Sequence, residues 1–283
     1  VLPRTTPTLA RSFPILLAAL VLTHDASAQE GDPSSTEGAL FLLLPVGAQA
    51  VSLGRAMTAL QTPEGAFWNP AGLASVESSR AVLFRGDHAV GTATALSLLA
   101  SWPGVGALGA SYLLLDAGDQ HLTDDDNNIL GTISVRNHLG IVSAAARVLN
   151  GLDAGVNLKI VQFRQSCRGI CLDVGTTATT YAFDAGIQVV PSSRLPLRFG
   201  AMVAHIGPKL QVLNAEQADP LPARVRAGVA YDVLSPLVNR EDVRGWISIE
   251  AQDRLRDPGS VSVYVGSEVV AGSVDALYLR TGY

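Results

Sequence analysis

From Ser78 to the end, apolar residues alternate with small or polar ones, the period of β-strands with two unlike faces. Leu96, Leu98, Ala100 and Trp102 share one face against Ala95, Ser97 and Ser101, with Leu99 breaking the pattern. After a Pro103-Gly104-Val105-Gly106 turn, Leu108, Ala110, Tyr112 and Leu114 alternate with Gly109 and Ser111. The same period runs through 154–160, 181–189, 225–231, 261–269 and 276–283, and about eleven strands are expected in all. Gly38 to Leu73 has a different period. Val46, Ala50, Leu53, Met57 and Leu60 lie four, three, four and three apart, one face of a short helix, with Gly47, Gly54, Ala56 and Ala59 keeping it slim. Trp68-Asn69-Pro70-Ala71-Gly72 follows as a rigid exit turn, because proline holds Asn69 out of the helical region. Such a segment is narrow enough to fit inside something, or to close one end of a soluble domain.

The opposite strand face separates two all-β architectures. It carries Gly, Ser and Ala with scattered Lys159, Asp184, Arg198, Arg226, Glu250 and Arg280, instead of the uniform charge of a solvated surface. A barrel facing lipid outside and a crowded polar lumen inside gives that mixture. Trp102, Tyr112, Tyr181, Tyr231 and Trp246 near strand ends fit aromatic girdles. Connections alternate between short (103–106, Asn150-Gly151, 191–196) and long and polar (116–131, 164–179, 207–222), as in outer-membrane barrels. The expectation is an antiparallel transmembrane β-barrel over 78–283, preceded by a plug segment over 29–77.

Residues 1–28 read as a signal peptide. Arg4 and Arg11 precede the apolar run Phe13 to Leu22, and Ala26-Ser27-Ala28 is a small-x-small cleavage site. The run is shorter than the roughly 20 residues a spanning helix needs. Loss of Arg4, Arg11 and Asp25 leaves 18 basic and 24 acidic residues, a net charge of −6, with no basic patch for nucleic acid. Charged residues are only 16% and hydrophobic ones 48%, an apolar average for an exported chain without a spanning helix. A secreted soluble β-rich binding protein is the rival reading.

Gly104-Val105-Gly106-Ala107-Leu108-Gly109 spells a dinucleotide fingerprint, but strand alternation continues through it, so a hairpin turn is expected. Cys167 and Cys171 are a candidate disulfide closing a small loop. Asp124-Asp125-Asp126-Asn127-Asn128 lacks the glycine and terminal glutamate of a calcium loop and reads as a hairpin tip. His88, His121, His138 and His205 share no catalytic or ligand spacing, and no Gly-x-Ser-x-Gly elbow is present. Asp184 and Glu250 are expected to face inward and pair with Lys159, Arg198 or Arg226. No catalytic residues, metal site or cofactor are predicted.

The segment Gly38 to Leu73, with Val46-Gly47-Ala48-Gln49-Ala50 and Ala66-Phe67-Trp68-Asn69-Pro70-Ala71-Gly72-Leu73, resembles the PorV/PorQ family within the wider FadL-like group of outer-membrane barrels. Supporting matches are Leu130-Gly131-Thr132, Val156-Asn157-Leu158-Lys159, Phe183-Asp184-Ala185-Gly186 and Ile206-Gly207-Pro208-Lys209-Leu210. The resemblance implies a bacterial outer-membrane location and a lumenal N-terminal plug. It also implies no enzymatic activity. For PorV-like proteins it implies a type IX secretion shuttle or channel component that binds secreted cargo proteins. For FadL-like proteins it implies passage of hydrophobic small molecules, gated by the plug. Family barrels have about fourteen strands, and single-chain bacterial barrels an even number. The odd count here, with Leu279-Arg280-Thr281-Gly282-Tyr283 at the end, leads to the expectation of a barrel lacking its last strands.

Overall fold

The computed structural model describes residues 37–171, 175–192, 195–238, 242–272 and 276–283. The expected signal peptide lies outside the described residues. Eleven strands form one sheet in chain order, each antiparallel to its neighbours: β1 (Arg80–His88), β2 (Gly91–Trp102), β3 (Gly106–Thr123), β4 (Ile129–Leu149), β5 (Leu152–Gly169), β6 (Gly175–Val189), β7 (Leu197–Ile206), β8 (Arg224–Asp232), β9 (Val243–Arg254), β10 (Ser262–Ala271) and β11 (Leu277–Gly282). Among the described residues β1 pairs with β2 alone and β11 with β10 alone, so the sheet is open between them.

Both faces follow the pleat, with side chains alternating every residue. On β5, Val156, Leu158 and Ile160 are exposed while Asn157, Lys159 and Val161 are buried. The exposed face continues as an apolar belt through Leu96 and Leu98, Leu108 and Tyr112, Val142, Tyr181 and Phe183, Phe199, Val225, Ile247 and Ile249, and Val263 and Val265. A contiguous belt this extensive marks a surface that meets something other than water. Leu99 does not break the alternation. It points inward with Ser97 and packs among buried apolar residues.

The long connections expected at 116–131 and 164–179 are mostly strand. β3 and β4 run up to the five-residue tip 124–128, and β5 runs to Gly169. Their alternation is hidden in the sequence because neither face is apolar there. At the tip, Asp124 accepts from the backbone amides of Asp126 and Asn128 and from the Asn128 side chain, which holds its carboxyl below the usual range.

The inner face is covered by residues 37–77 of the same chain. Instead of one helix over 46–60, only α1 (Ala48–Ser52) is helical. Gly54 and Arg55 both have positive φ (56° and 76°), which ends the helix and bends the chain. The five stripe residues Val46, Ala50, Leu53, Met57 and Leu60 are nonetheless all buried, presented by α1 and the turns around it. Asn69 starts a helical turn and does not merely end one. Its backbone is extended, its side-chain oxygen accepts from Ala71 N, and a 3₁₀ turn runs from Pro70 to Ser75.

Candidate functional site

The candidate site is the interface between the 37–77 segment and the inner face of the sheet. Glycines create the room for it. Gly155 is paired directly with Gly186 across β5–β6, Gly200 with Gly228 across β7–β8, and Gly266 with Gly282 across β10–β11. A Cβ on Gly155 would stand 2.4 Å from the carbonyl carbon of Pro70, and one on Gly200 would stand 2.1 Å from the Thr58 carbonyl oxygen. On Gly186 it would reach 2.0 Å from Asn69 Oδ1, and on Gly282 2.0 Å from the Leu53 carbonyl carbon. The paired glycines form a groove in which the segment's backbone lies against the sheet.

Polar side chains from the strands then hold that backbone. Glu250 Oε2 accepts from the amides of Met57 (2.9 Å) and Thr58 (2.8 Å). Gln188 Nε2 donates to the carbonyls of Thr58 (3.0 Å) and Leu60 (2.9 Å). Asn69 Nδ2 donates to Thr58 O within the segment and to Ile187 O on β6. Asn157 Nδ2 donates to the Ala66 carbonyl (2.9 Å) and to Asp184 Oδ2 (2.8 Å), while its oxygen accepts from Ser143 Oγ. Buried backbone groups of an irregular segment need such partners, because water cannot supply them.

Behind this layer lies a buried charge cluster. Lys159 Nζ is 2.5 Å from Asp184 Oδ2, and Asp184 Oδ1 accepts from the His205 backbone N–H at 2.8 Å. His205 Nδ1 lies 3.3 Å from Lys159 Nζ, and its φ of 60° sits beside a register shift between β6 and β7. Opposite charges in contact, each further hydrogen-bonded, are the arrangement that makes such burial tolerable.

The five charged residues picked from the sequence are therefore not all engaged in the same way. Lys159 and Asp184 form an ion pair. Glu250 binds main-chain amides and, among the described residues, forms no salt bridge to Arg226 or Arg198. Arg226 lies over the Trp68 ring (5.3 Å), and Trp68 Nε1 donates to Val46 O. Arg198 lies over Trp246 at 4.2 Å. Trp246 faces inward on β9, so it does not belong to an outer girdle, whereas Trp102, Tyr112, Tyr181 and Tyr231 are exposed on the outer face. Cys167 and Cys171 are joined by a disulfide at the end of β5, far along the chain from the segment. Gly104 to Gly109 spans the β2–β3 turn and the start of β3. Asn157, Gln188, His205 and Glu64 also take part here, with no role evident in the sequence alone. The adjacent signal was the inward phase of each strand, which puts 157, 188 and 250 on the covered face.

Glu64, within the segment, has a markedly shifted pKa. Its carboxylate lies against Gly47, where an added Cβ would meet Oε2 at 1.8 Å, and Oε2 has no hydrogen-bond partner among the described residues. Burial pushes its pKa up from 4.5 to about 7, with Arg280 opposing the shift. A carboxyl raised on folding favours the folded state below its unfolded pKa, and that contribution is lost as pH rises through the folded one. The segment is therefore expected to loosen as pH rises from 4.5 through about 7. Tryptic cleavage after the half-buried Arg55 should speed up across this window in the wild type. In Glu64→Gln, which has no charge to bury, the rate should change no more than trypsin's own pH profile requires.

No protein-family model matches the sequence, and no curated protein does either. Solved structures do match. One is the toluene transporter TodX of Pseudomonas putida, 12% identical, covering 88% of this chain and 83% of its own, with a TM-score of 0.50. Another is a FadL homologue of Pseudomonas aeruginosa, also 12% identical, covering 84% and 79%, with a TM-score of 0.49. The likeness to TodX shows the fold: an all-β, antiparallel, FadL-like sheet, here with eleven strands and an opening between the first and last among the described residues.

Proposed function

We propose that the chain is an outer-membrane transporter for small hydrophobic molecules, with residues 37–77 acting as a plug that must shift to let them pass. The observation that carries this reading is the pairing of an apolar outer belt with an inner face filled by the chain's own irregular segment. The belt suits lipid on the outside. The segment is held by discrete hydrogen bonds with Glu250, Gln188 and Asn157, which can be broken and remade, and among the described residues no disulfide ties it to the strands. TodX, with the same fold, is described as a toluene transporter, which favours uptake of hydrophobic small molecules over a secretion role. The type IX shuttle reading rests on the Asn-Pro-Ala-Gly resemblance, and the geometry adds nothing to it. In this reading the end where β3 to β6 protrude faces outward, as the longer loops of such barrels do.

The test is a reversible lock. A Cβ at Gly228 would lie 3.5 Å from the Cβ of Thr58, within disulfide reach. In Thr58→Cys/Gly228→Cys, oxidation should cut uptake of labelled toluene by about tenfold or more, that is, raise the barrier by roughly 1.4 kcal/mol. Reductant should restore it. Uptake that is indifferent to oxidation would overturn plug gating, and wild-type uptake no faster than in membranes without the protein would overturn transport of this solute.

A further inference from the structure

On the outer face, the apolar belt gives way to arginines at the same level in two adjacent strands. The outward residues of β5 run Val156, Leu158, Ile160, Gln162, Arg164, Ser166, Arg168. Those of β4, in register with them, run Ala144, Val142, Gly140, His138, Arg136, Ser134, Thr132. Arg136 and Arg164 are therefore direct cross-strand partners, an arrangement of like charges that destabilises a sheet unless something neutralises it. Asp116 on β3 pairs with Arg136 at 3.0 Å, and Asp119 accepts from Ser134 Oγ at 2.5 Å. Beyond the backbone ladder, the Arg164 and Arg168 guanidiniums have no hydrogen-bond or ion-pair partner among the described residues. Together with Ser134, Arg136, Ser166 and Cys167 they line a concavity of about 270 Å³.

We infer that this concavity binds the phosphate head group of an anionic lipid whose chains lie on the belt below. The ladder is amphiphilic in the sense a lipid requires. Val142, Leu158 and Ile160 offer an acyl-chain surface, and the guanidiniums follow at head-group depth. Arg164 is two residues beyond Gln162, about 7 Å along the strand, which matches a head-group layer roughly 5–7 Å deep on each side. Tyr112 and His138 mark the boundary, with the phenol oxygen 2.6 Å from His138 Nδ1. Two guanidinium forks and the Ser166 hydroxyl, lining one hollow, are donors that a phosphate's oxygens accept from, while the Ser134 hydroxyl is already given to Asp119. A soluble acidic protein would need no apolar surface directly beneath the arginines.

The inference rests on the membrane reading, and the experiment keeps the two apart. Wild-type protein and Arg164→Gln/Arg168→Gln are reconstituted into vesicles of equal parts phosphatidic acid and phosphatidylcholine and floated. They are then extracted, and the retained lipid is identified by native mass spectrometry. Phosphatidic acid is expected to exceed phosphatidylcholine on the wild type by about fivefold or more, and on the variant to fall to parity. Inorganic phosphate at millimolar level should leave the bound lipid in place. Equal retention on the wild type, or enrichment unchanged in the variant, would overturn the inference alone. Displacement by inorganic phosphate would show a free-phosphate site and overturn the lipid assignment. Failure to float with vesicles would overturn the membrane reading and this inference with it.

Discussion

Gly200→Leu is expected to unseat the 37–77 segment and to cost more than about 4 kcal/mol, the range reserved for gross steric or burial defects. An added Cβ at this position alone meets the Thr58 carbonyl oxygen at 2.1 Å, Thr58 C at 2.6 Å and Ala59 Cα at 2.9 Å. All three are backbone atoms, so no side-chain rotation relieves the clash. The segment would have to lift, and Glu250 and Gln188 would lose the groups they bind. Tryptic cleavage after Arg55 should rise sharply, and the urea midpoint of the purified protein should fall or the transition disappear. Gly140→Ala is the control, because a Cβ there meets nothing within 4 Å. If Gly200→Leu were as stable and as protease-resistant as Gly140→Ala, the close seating of the segment on the sheet would be wrong.

Glu250→Ala should cost about 3–5 kcal/mol, the range for breaking a buried charged interaction by removing one partner. Glu250 is 2% exposed, and a single carboxylate oxygen satisfies both the Met57 and Thr58 amides. Removing it leaves two buried N–H groups without an acceptor and takes away the negative charge that acts most strongly on the buried Arg226. Glu250→Gln keeps an acceptor oxygen but no charge, so it should recover part of the loss. The urea midpoints of the two variants read this directly. Equal loss in both would assign the effect to charge alone, and no loss in either would remove Glu250 from the holding contacts.

The strands were legible because a period of two with one apolar face leaves few alternatives, and the expectation of about eleven agrees with the eleven strands among the described residues. The inward phase of Lys159, Asp184 and Glu250 follows from the same period. Partners did not follow. Alternation says which face a residue is on, whereas Glu250 binding main-chain amides depends on where an irregular segment happens to pass. The helix over 46–60 was over-read because apolar spacing of three and four is also met by buried residues on successive turns. Two positive-φ residues, Gly54 and Arg55, break the chain where the spacing shows no break. The protruding hairpins were missed for the opposite reason, since strand with two polar faces looks like loop. The glycine groove was invisible because its meaning lies in register. Gly200 and Gly228 are 28 residues apart and become one feature only when β7 and β8 pair.

The proposal of a membrane-spanning sheet filled by residues 37–77 is tested most directly by single-cysteine scanning of β5 from Val156 to Val161 in reconstituted vesicles. Each cysteine carries a small fluorophore, read with brominated lipid and with aqueous iodide as quenchers. Labels at 156, 158 and 160 should be quenched by lipid, and labels at 157, 159 and 161 by neither quencher, because those positions lie under the segment. Iodide quenching at 156, 158 and 160 without lipid quenching would contradict a lipid-facing belt. Iodide quenching at 157 and 159 would contradict an inner face sealed by the chain's own N-terminal segment.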